Sequence, residues 1–217
     1  MTPEPPAGVI FDMDGVLVDS GAHHRAAWRA LLDELAATPA VPDYWRLTIG
    51  RPAEEAVGRL LGRALGSAEA RRLARRKHHH YLRLACEAPP PIPGAPAFVT
   101  ALGEHGIPCG VATSASRFDA ERLLSGIGLR SRFVVLITAE DVWLGKPEPE
   151  VYLRAADGLG VDPPRCLVFE DALVGIEAAR RAGMRVIGLN TAHTDAELLA
   201  TGAERVIPNF EGLRWPP

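Results

Sequence analysis

Short apolar runs rich in β-branched residues recur along this chain, and stretches of helical periodicity separate them. This alternation constrains the fold most. Parallel strands cannot be joined by tight turns, so each needs a crossover, and a helix supplies it. The runs Val9-Ile10-Phe11, Pro108–Ala112, Phe133–Leu136, Arg165–Phe169, Arg185–Leu189 and Arg205–Ile207 are predicted strands. Helices are expected over Pro96–His105, Arg117–Gly126, Pro149–Gly158 and Leu173–Ala182, the last with Gly183 as its C-cap. The fold class that follows is α/β, a parallel sheet covered on both faces.

One stretch departs from the alternation. Residues from about 38 to 88 read as a small all-helical unit. A helix capped by Ser20 precedes it, with His24, Ala27, Trp28, Leu31 and Leu35 on one face. Two more helices are expected over Pro52–Arg63 and Ser67–Cys86. Lys77 interrupts the apolar stripe of the last one, so it either snorkels or points into a polar cleft. His24 sits near the start of its own stripe, as a partly buried core histidine or a cleft residue. The run His78-His79-His80 cannot turn three rings to one metal and reads as a solvated face. The stiff segment Ala88–Gly94 marks the return to the alternating pattern.

A net charge of −3 gives no reason to expect nucleic acid or a membrane surface as partner. No apolar run is long enough to cross a bilayer, and Met1–Ala7 lacks the features of a signal peptide. Cys86, Cys109 and Cys166 have no metal spacing, and a reducing cytoplasm fits them. Only two of the 24 basic residues are lysines, Lys77 and Lys146, which marks both for attention because an ammonium and a guanidinium are not interchangeable in a tight site.

In a parallel sheet, ligands bind beyond the carboxyl ends of the strands. Three predicted strands end in polar residues: Asp12 and Asp14, Thr113 and Ser114, Glu170 and Asp171. If strand geometry persists through Asp14, alternation puts Asp12 and Asp14 on one side. Their repulsion then needs a cation or a shared proton. Lys146 lies in the rigid turn Gly145-Lys146-Pro147-Glu148-Pro149. Acids, hydroxyls and an ammonium at one sheet edge suit a divalent cation and a phosphate. The acids would hold Mg²⁺. The hydroxyls and nearby N–H groups would take phosphoryl oxygens, and Lys146 would neutralise developing charge. Asp12 is then placed to attack phosphorus, and Asp14 to give and take a proton.

These pieces carry a resemblance. Phe11-Asp12-Met13-Asp14-Gly15-Val16, Val111-Ala112-Thr113-Ser114, Gly145-Lys146-Pro147 and Phe169-Glu170-Asp171-Ala172 followed by Gly175-Ile176 stand in the order of the haloacid dehalogenase-like hydrolase superfamily. Within it the chain resembles the β-phosphoglucomutase-like phosphatases and mutases. The resemblance implies a Rossmann-like core (residues 1–19 and 89–217) with an inserted α-helical cap (20–88). It implies Asp12 as nucleophile, Asp14 as acid and base, and Lys146 as a catalytic and phosphate-binding cation. Mg²⁺ would be held by Asp12, the Asp14 backbone carbonyl and Glu170 or Asp171. Phosphate binding falls to Thr113 or Ser114, with backbone contacts from Ala115 and Ser116. Arg51, in Thr48-Ile49-Gly50-Arg51-Pro52, resembles part of the cap's specificity segment. His24 and Lys77 match positions that face the cleft.

The expected function is that of a cytoplasmic, monomeric, Mg²⁺-dependent phosphatase of a small sugar or polyol phosphate, working through an aspartyl-phosphate. A mutase of the β-phosphoglucomutase type is the alternative that His24 and Lys77 keep open. Dehalogenation is disfavoured by Asp14, since halide leaves without a proton. Phosphonate cleavage is disfavoured because Lys77 comes too late in the cap to form its Schiff base. A non-catalytic binding protein is disfavoured because every chemical group is present.

Overall fold

The computed structural model describes residues 4–84 and 89–217. The strands are β1 (Gly8–Phe11), β2 (Cys109–Ala112), β3 (Val135–Ile137), β4 (Cys166–Glu170), β5 (Arg185–Leu189) and β6 (Arg205–Ile207). They form one sheet in the order β3-β2-β1-β4-β5-β6, and every neighbouring pair is parallel. This is the parallel α/β sheet that the alternation predicts, in the Rossmann-like arrangement that the resemblance implies. It places β1 at the centre, where the strand order reverses and a crevice opens.

Helices α4 (Ala95–Glu104) and α5 (Arg117–Gly126) cover one face, and α6 (Glu150–Leu159), α7 (Leu173–Arg181) and α8 (Asp195–Thr201) cover the other. The alternation within β1 decides which side chain meets which layer. Val9 and Phe11 pack with Phe98, Leu102 and Leu123, whereas Ile10 packs with Tyr152, Ala155 and Ile176. Phe11 stacks on Phe169 at 5.2 Å and meets Phe133 and Phe210 at 5.9 and 6.0 Å. Each such fully buried ring contributes roughly 1.5–3 kcal/mol by leaving water. The aromatic cluster therefore anchors the ends of β1 and β4, the strands that carry the acids.

Helices α1 (Gly21–Glu34), α2 (Ala53–Leu60) and α3 (Ser67–Leu84) bury Trp28, Leu31, Val57, Leu60 and Leu73 in a cluster of their own. The chain enters and leaves this unit along paired backbone. Asp19 N–H donates to Pro90 O at 2.8 Å and Ile92 N–H to Leu17 O at 3.0 Å. Residues 85–88 fall outside the described residues, so the expected end of the third helix at Cys86 does too. Cys109 and Cys166 are buried and free, as small apolar residues.

Several expectations need correction. Strand geometry stops at Phe11, and a turn follows in which Gly15 adopts φ +79°. Alternation therefore does not align Asp12 with Asp14. A Cβ on Gly15 would also lie 2.1 Å from Asp171 Oδ2, so the turn needs glycine twice over. Ser20 occupies the N-cap position of α1 without making a cap bond, because its hydroxyl donates to Asp14 instead. Strand β3 starts two residues later than expected. Arg130–Arg132 form a 3₁₀ turn that sends Phe133 into the core and leaves Val134 72% exposed. Helix α8 was not among the predicted elements, although Thr194 and Glu197 form a capping box at its start.

Candidate active site

Lys146 organises the crevice. It is 1% exposed and its ammonium has three donors. They meet Asp12 Oδ1 at 2.6 Å, Glu170 Oε1 at 2.7 Å and the Ala112 carbonyl at 3.2 Å. Asp12 follows β1, Ala112 ends β2 and Glu170 ends β4, so three strands fix the one cation. The Tyr152 hydroxyl donates to Glu170 Oε1 at 2.9 Å, and the Ala172 N–H donates to Oε2 at 2.7 Å. Gly175 in α7 leaves the room this carboxylate occupies, since a Cβ there would stand 1.6 Å from Oε1. The Thr191 hydroxyl lies 3.1 Å from Asp171 Oδ2 and 2.8 Å from the Gly15 carbonyl.

Oxygens of Asp12, Glu170 and Asp171 all fall within 4.8 Å of one another. One ammonium does not balance three buried carboxylates. Burial raises Asp12 to about 7 despite Lys146, and Glu170 adds to the rise. Burial and the Glu170 charge push Asp171 well above the usual carboxylate range. For Lys146, burial works against the charge, but Asp12 and Glu170 hold its pKa well above the ordinary lysine value. An all-oxygen, anion-rich pocket of this kind fits a hard divalent cation such as Mg²⁺.

Asp14 faces elsewhere. Its Oδ1 accepts from Ser20 and lies 3.3 Å from His24 Nε2. His24 Nδ1 is 2.7 Å from Lys77 Nζ. With Lys77 donating to Nδ1, the ring proton sits on Nε2 and points at Asp14. The imidazole stacks on Tyr81 at 4.5 Å, and the ammonium lies 5.2 Å from the rings of both Trp28 and Tyr81. Lys77 is thus buried inside the structure rather than snorkelling. Burial lowers it to about 8. Burial alone would raise Asp14, but His24 holds it below its ordinary value. Burial and Lys77 lower His24. The Asp14 carboxylate is not among the three converging acids, which leaves only its backbone carbonyl for the metal role inferred from the sequence.

Thr113 is buried after β2, and its Oγ1 accepts from the Ala115 N–H at 3.1 Å. That bond uses the Ala115 N–H expected for phosphate and leaves the threonine's own proton to give. Ser114 Oγ donates instead to the Gly50 carbonyl at 3.0 Å, tying the β2 loop to the segment before α2. Ser116 caps α5 and bonds Asp119. Arg51 pairs with Glu55 four residues on, at 2.5 Å. Of the three adjacent histidines, His80 pairs with Glu34 and His78 lies 3.5 Å from Asp119.

The model of the haloacid dehalogenase-like hydrolases matches residues 6–183 of this sequence. The chain belongs to that family. The hydrolase is 38% identical to validoxylamine A 7'-phosphate phosphatase of Streptomyces hygroscopicus subsp. limoneus, over 95% of both chains. It is 33% identical to the fructose-1-phosphate phosphatase YqaB of Escherichia coli, over 83% of this chain and 95% of that one. The solved structure of β-phosphoglucomutase from Clostridium difficile superposes with a TM-score of 0.84 at 27% identity, covering 97% of this chain and 94% of that one. No helix among the described residues of the hydrolase is long and apolar enough to cross a membrane.

Two residues of the hydrolase's site were not singled out from the sequence. Thr191 is the second residue after β5, so the strand-end rule that found the other groups also points to it. Tyr152 lies in α6 one turn beyond Pro149, on the face that packs against β1 and carries its hydroxyl back to Glu170. Nothing local distinguishes that tyrosine from an ordinary core residue.

Proposed function

We propose that this hydrolase is a Mg²⁺-dependent phosphatase of a small sugar or polyol phosphate, working through an aspartyl-phosphate on Asp12. The Lys146-centred convergence of Asp12, Glu170 and Asp171 carries the reading. Asp12, Glu170 and Asp171 would hold the ion, which when bound offsets charge on the carboxylates and on phosphoryl oxygens. Lys146 grips Asp12 Oδ1 and so sets the rotation of the carboxylate that attacks phosphorus. The P–O bond to the substrate breaks as the Asp12 oxygen bonds to phosphorus, and the leaving alkoxide takes a proton. Thr113 has a hydroxyl proton to give to a phosphoryl oxygen. Asp14 deprotonates the water that then cleaves the aspartyl-phosphate. Its contacts to Ser20 and His24 favour the ionised form needed for that second step. To protonate the leaving group first, Asp14 must loosen those contacts. Helices α1–α3 act as a cap over the acids, and the relatives' names support phosphorylated metabolites as substrates.

The reading is tested by assaying phosphate release from a panel of sugar and polyol phosphates with Mg²⁺ and with EDTA. Release that is indifferent to EDTA across the whole panel overturns it. A mutase is the second reading, favoured by the His24–Lys77 contact and the likeness to β-phosphoglucomutase. With β-glucose 1-phosphate and a trace of the bisphosphate, glucose 6-phosphate appearing faster than free phosphate decides for the mutase.

Lys77 supplies a further expectation. Its fall from 10.5 to about 8 means that burying the charge costs more than its contacts return, on the order of 3 kcal/mol. Lys77→Met should therefore keep or raise the melting temperature below pH 8, where the buried ammonium would otherwise be charged. Turnover of the best panel substrate should fall at least tenfold. A lower melting temperature with normal turnover would make Lys77 a structural residue.

A further inference from the structure

The three acids of the crevice are not held alike. Asp12 is gripped by the Lys146 ammonium at 2.6 Å. Glu170 has Lys146, the Tyr152 hydroxyl and the Ala172 N–H, at 2.7, 2.9 and 2.7 Å. Asp171 is 4% exposed, yet among the described residues its carboxylate has a single hydrogen-bond partner, the Thr191 hydroxyl at 3.1 Å. We propose that Thr191 is a positioning residue for the divalent cation. Its hydroxyl sets the rotation of the Asp171 carboxylate and so fits the pocket to Mg²⁺ rather than to Ca²⁺. The proposal deepens the Mg²⁺ reading above and rests on it.

Thr191 reaches the acids from the loop after β5 and meets the turn after β1. Its hydroxyl lies 2.8 Å from the Gly15 carbonyl as well. Both neighbours are acceptors when Asp171 is ionised, so the one hydroxyl proton is shared between them. The turn is itself fixed, because the Gly15 N–H donates to Val18 O at 2.8 Å. That N–H and the Asp14 carbonyl belong to one planar peptide, so the same bond orients the carbonyl expected at the metal. A Cβ on Gly15 would stand 2.1 Å from Asp171 Oδ2, so the carboxylate abuts this turn directly. Thr191 thus joins two of the expected ligands, the Asp171 side chain and the turn that carries the Asp14 carbonyl.

The choice of ion follows from how much disorder each tolerates. Mg²⁺ demands near-ideal octahedral geometry at about 2.0–2.1 Å, whereas Ca²⁺ accepts a larger and more flexible oxygen shell. A carboxylate free to rotate therefore costs the smaller ion more. Groups that orient a metal's ligands are typically worth about 10–100-fold in affinity. Thr191 is itself exposed, so changing it opens no cavity in the core.

The test titrates the metal-stripped wild type, Thr191→Val and Thr191→Ser with Mg²⁺ and with Ca²⁺, reading each Kd from the rise in melting temperature. Valine keeps the branched shape and removes the hydroxyl, while serine keeps the hydroxyl. Thr191→Val should raise the Kd for Mg²⁺ at least about tenfold and that for Ca²⁺ less than about threefold. Thr191→Ser should stay within about threefold of the wild type for both ions. A loss of stability alone lowers the melting temperature without metal and leaves the ratio of the two constants as it was. An unchanged Kd for Mg²⁺ in Thr191→Val overturns the proposal and leaves the Mg²⁺ reading standing. Equal losses for the two ions overturn it too, as does a serine variant as weak as the valine one. No Mg²⁺ binding by the wild type overturns the proposal and the Mg²⁺ reading together.

Discussion

Asp12→Asn is expected to lower the Mg²⁺-dependent rate on any phosphorylated substrate by at least about 1,000-fold, because the amide cannot serve as the attacking carboxylate. The protein should stay folded. Asparagine keeps a carbonyl oxygen for Lys146 Nζ, which sits 2.6 Å from Asp12 Oδ1 in the native protein. It also removes one of three crowded carboxylates. The melting temperature in EDTA should therefore be at least that of the wild type. Phosphate release from an aryl phosphate, measured beside a thermal melt, checks both halves. Activity within tenfold of the wild type would remove Asp12 from the nucleophile's role.

Lys146→Met should give the largest loss of stability. It strips the sole ammonium from Asp12 and Glu170, both buried. Breaking a buried ion pair by deleting one partner costs about 3–5 kcal/mol. In a domain of this size that corresponds to roughly 6–20 °C in melting temperature. The loss should be largest above pH 7 and fade toward pH 4, for a reason already present in the wild type. Burial raises Asp12 from 3.8 to about 7 in the folded chain. Below 3.8 the group is protonated whether the chain is folded or not, so folding pays no ionisation penalty. As pH rises through 7, the folded state must hold the charge and stability falls. The metal-stripped wild type should show that fall in milder form, and Mg²⁺ should remove it. Mg²⁺ should also raise the melting temperature of the variant more than that of the wild type. A variant that melts like the wild type in EDTA at pH 8 would show that Lys146 does not balance the acids.

Much of the fold was legible because its signals are local. Apolar runs of strand length and amphipathic intervals locate every strand, and a parallel sheet follows from their alternation. What escaped depends on longer-range packing. Phe133 reads as strand, but its place beside Phe11 pulls it out of the ladder and shifts β3. Helix α8 has a readable start in Thr194 and Glu197, but its seven residues carry too little apolar periodicity to stand out. The site divides in the same way. Asp12, Lys146, Glu170 and Asp171 are found by residue type at strand ends and in a rigid turn. The partner of Asp14 is not, since the turn at Gly15 redirects that carboxylate to Ser20 and His24. Arg51, read as part of the cap's specificity segment, has Glu55 one turn along as its ion-pair partner, a pairing that residue type alone does not announce.

The paired backbone between Leu17–Asp19 and Pro90–Ile92 has a consequence for how such a chain can change over time. Because its two ends are stitched together, everything between them behaves thermodynamically as a loop closed at its base. The entropy of closing a flexible loop grows only logarithmically, by about 0.6 kcal/mol for each doubling of length. Insertions in the loops that join α1, α2 and α3 therefore disturb the sheet little. Mutation can try new surfaces there while the Lys146 cluster, anchored by phenylalanine rings on the far side of the stitch, keeps its geometry.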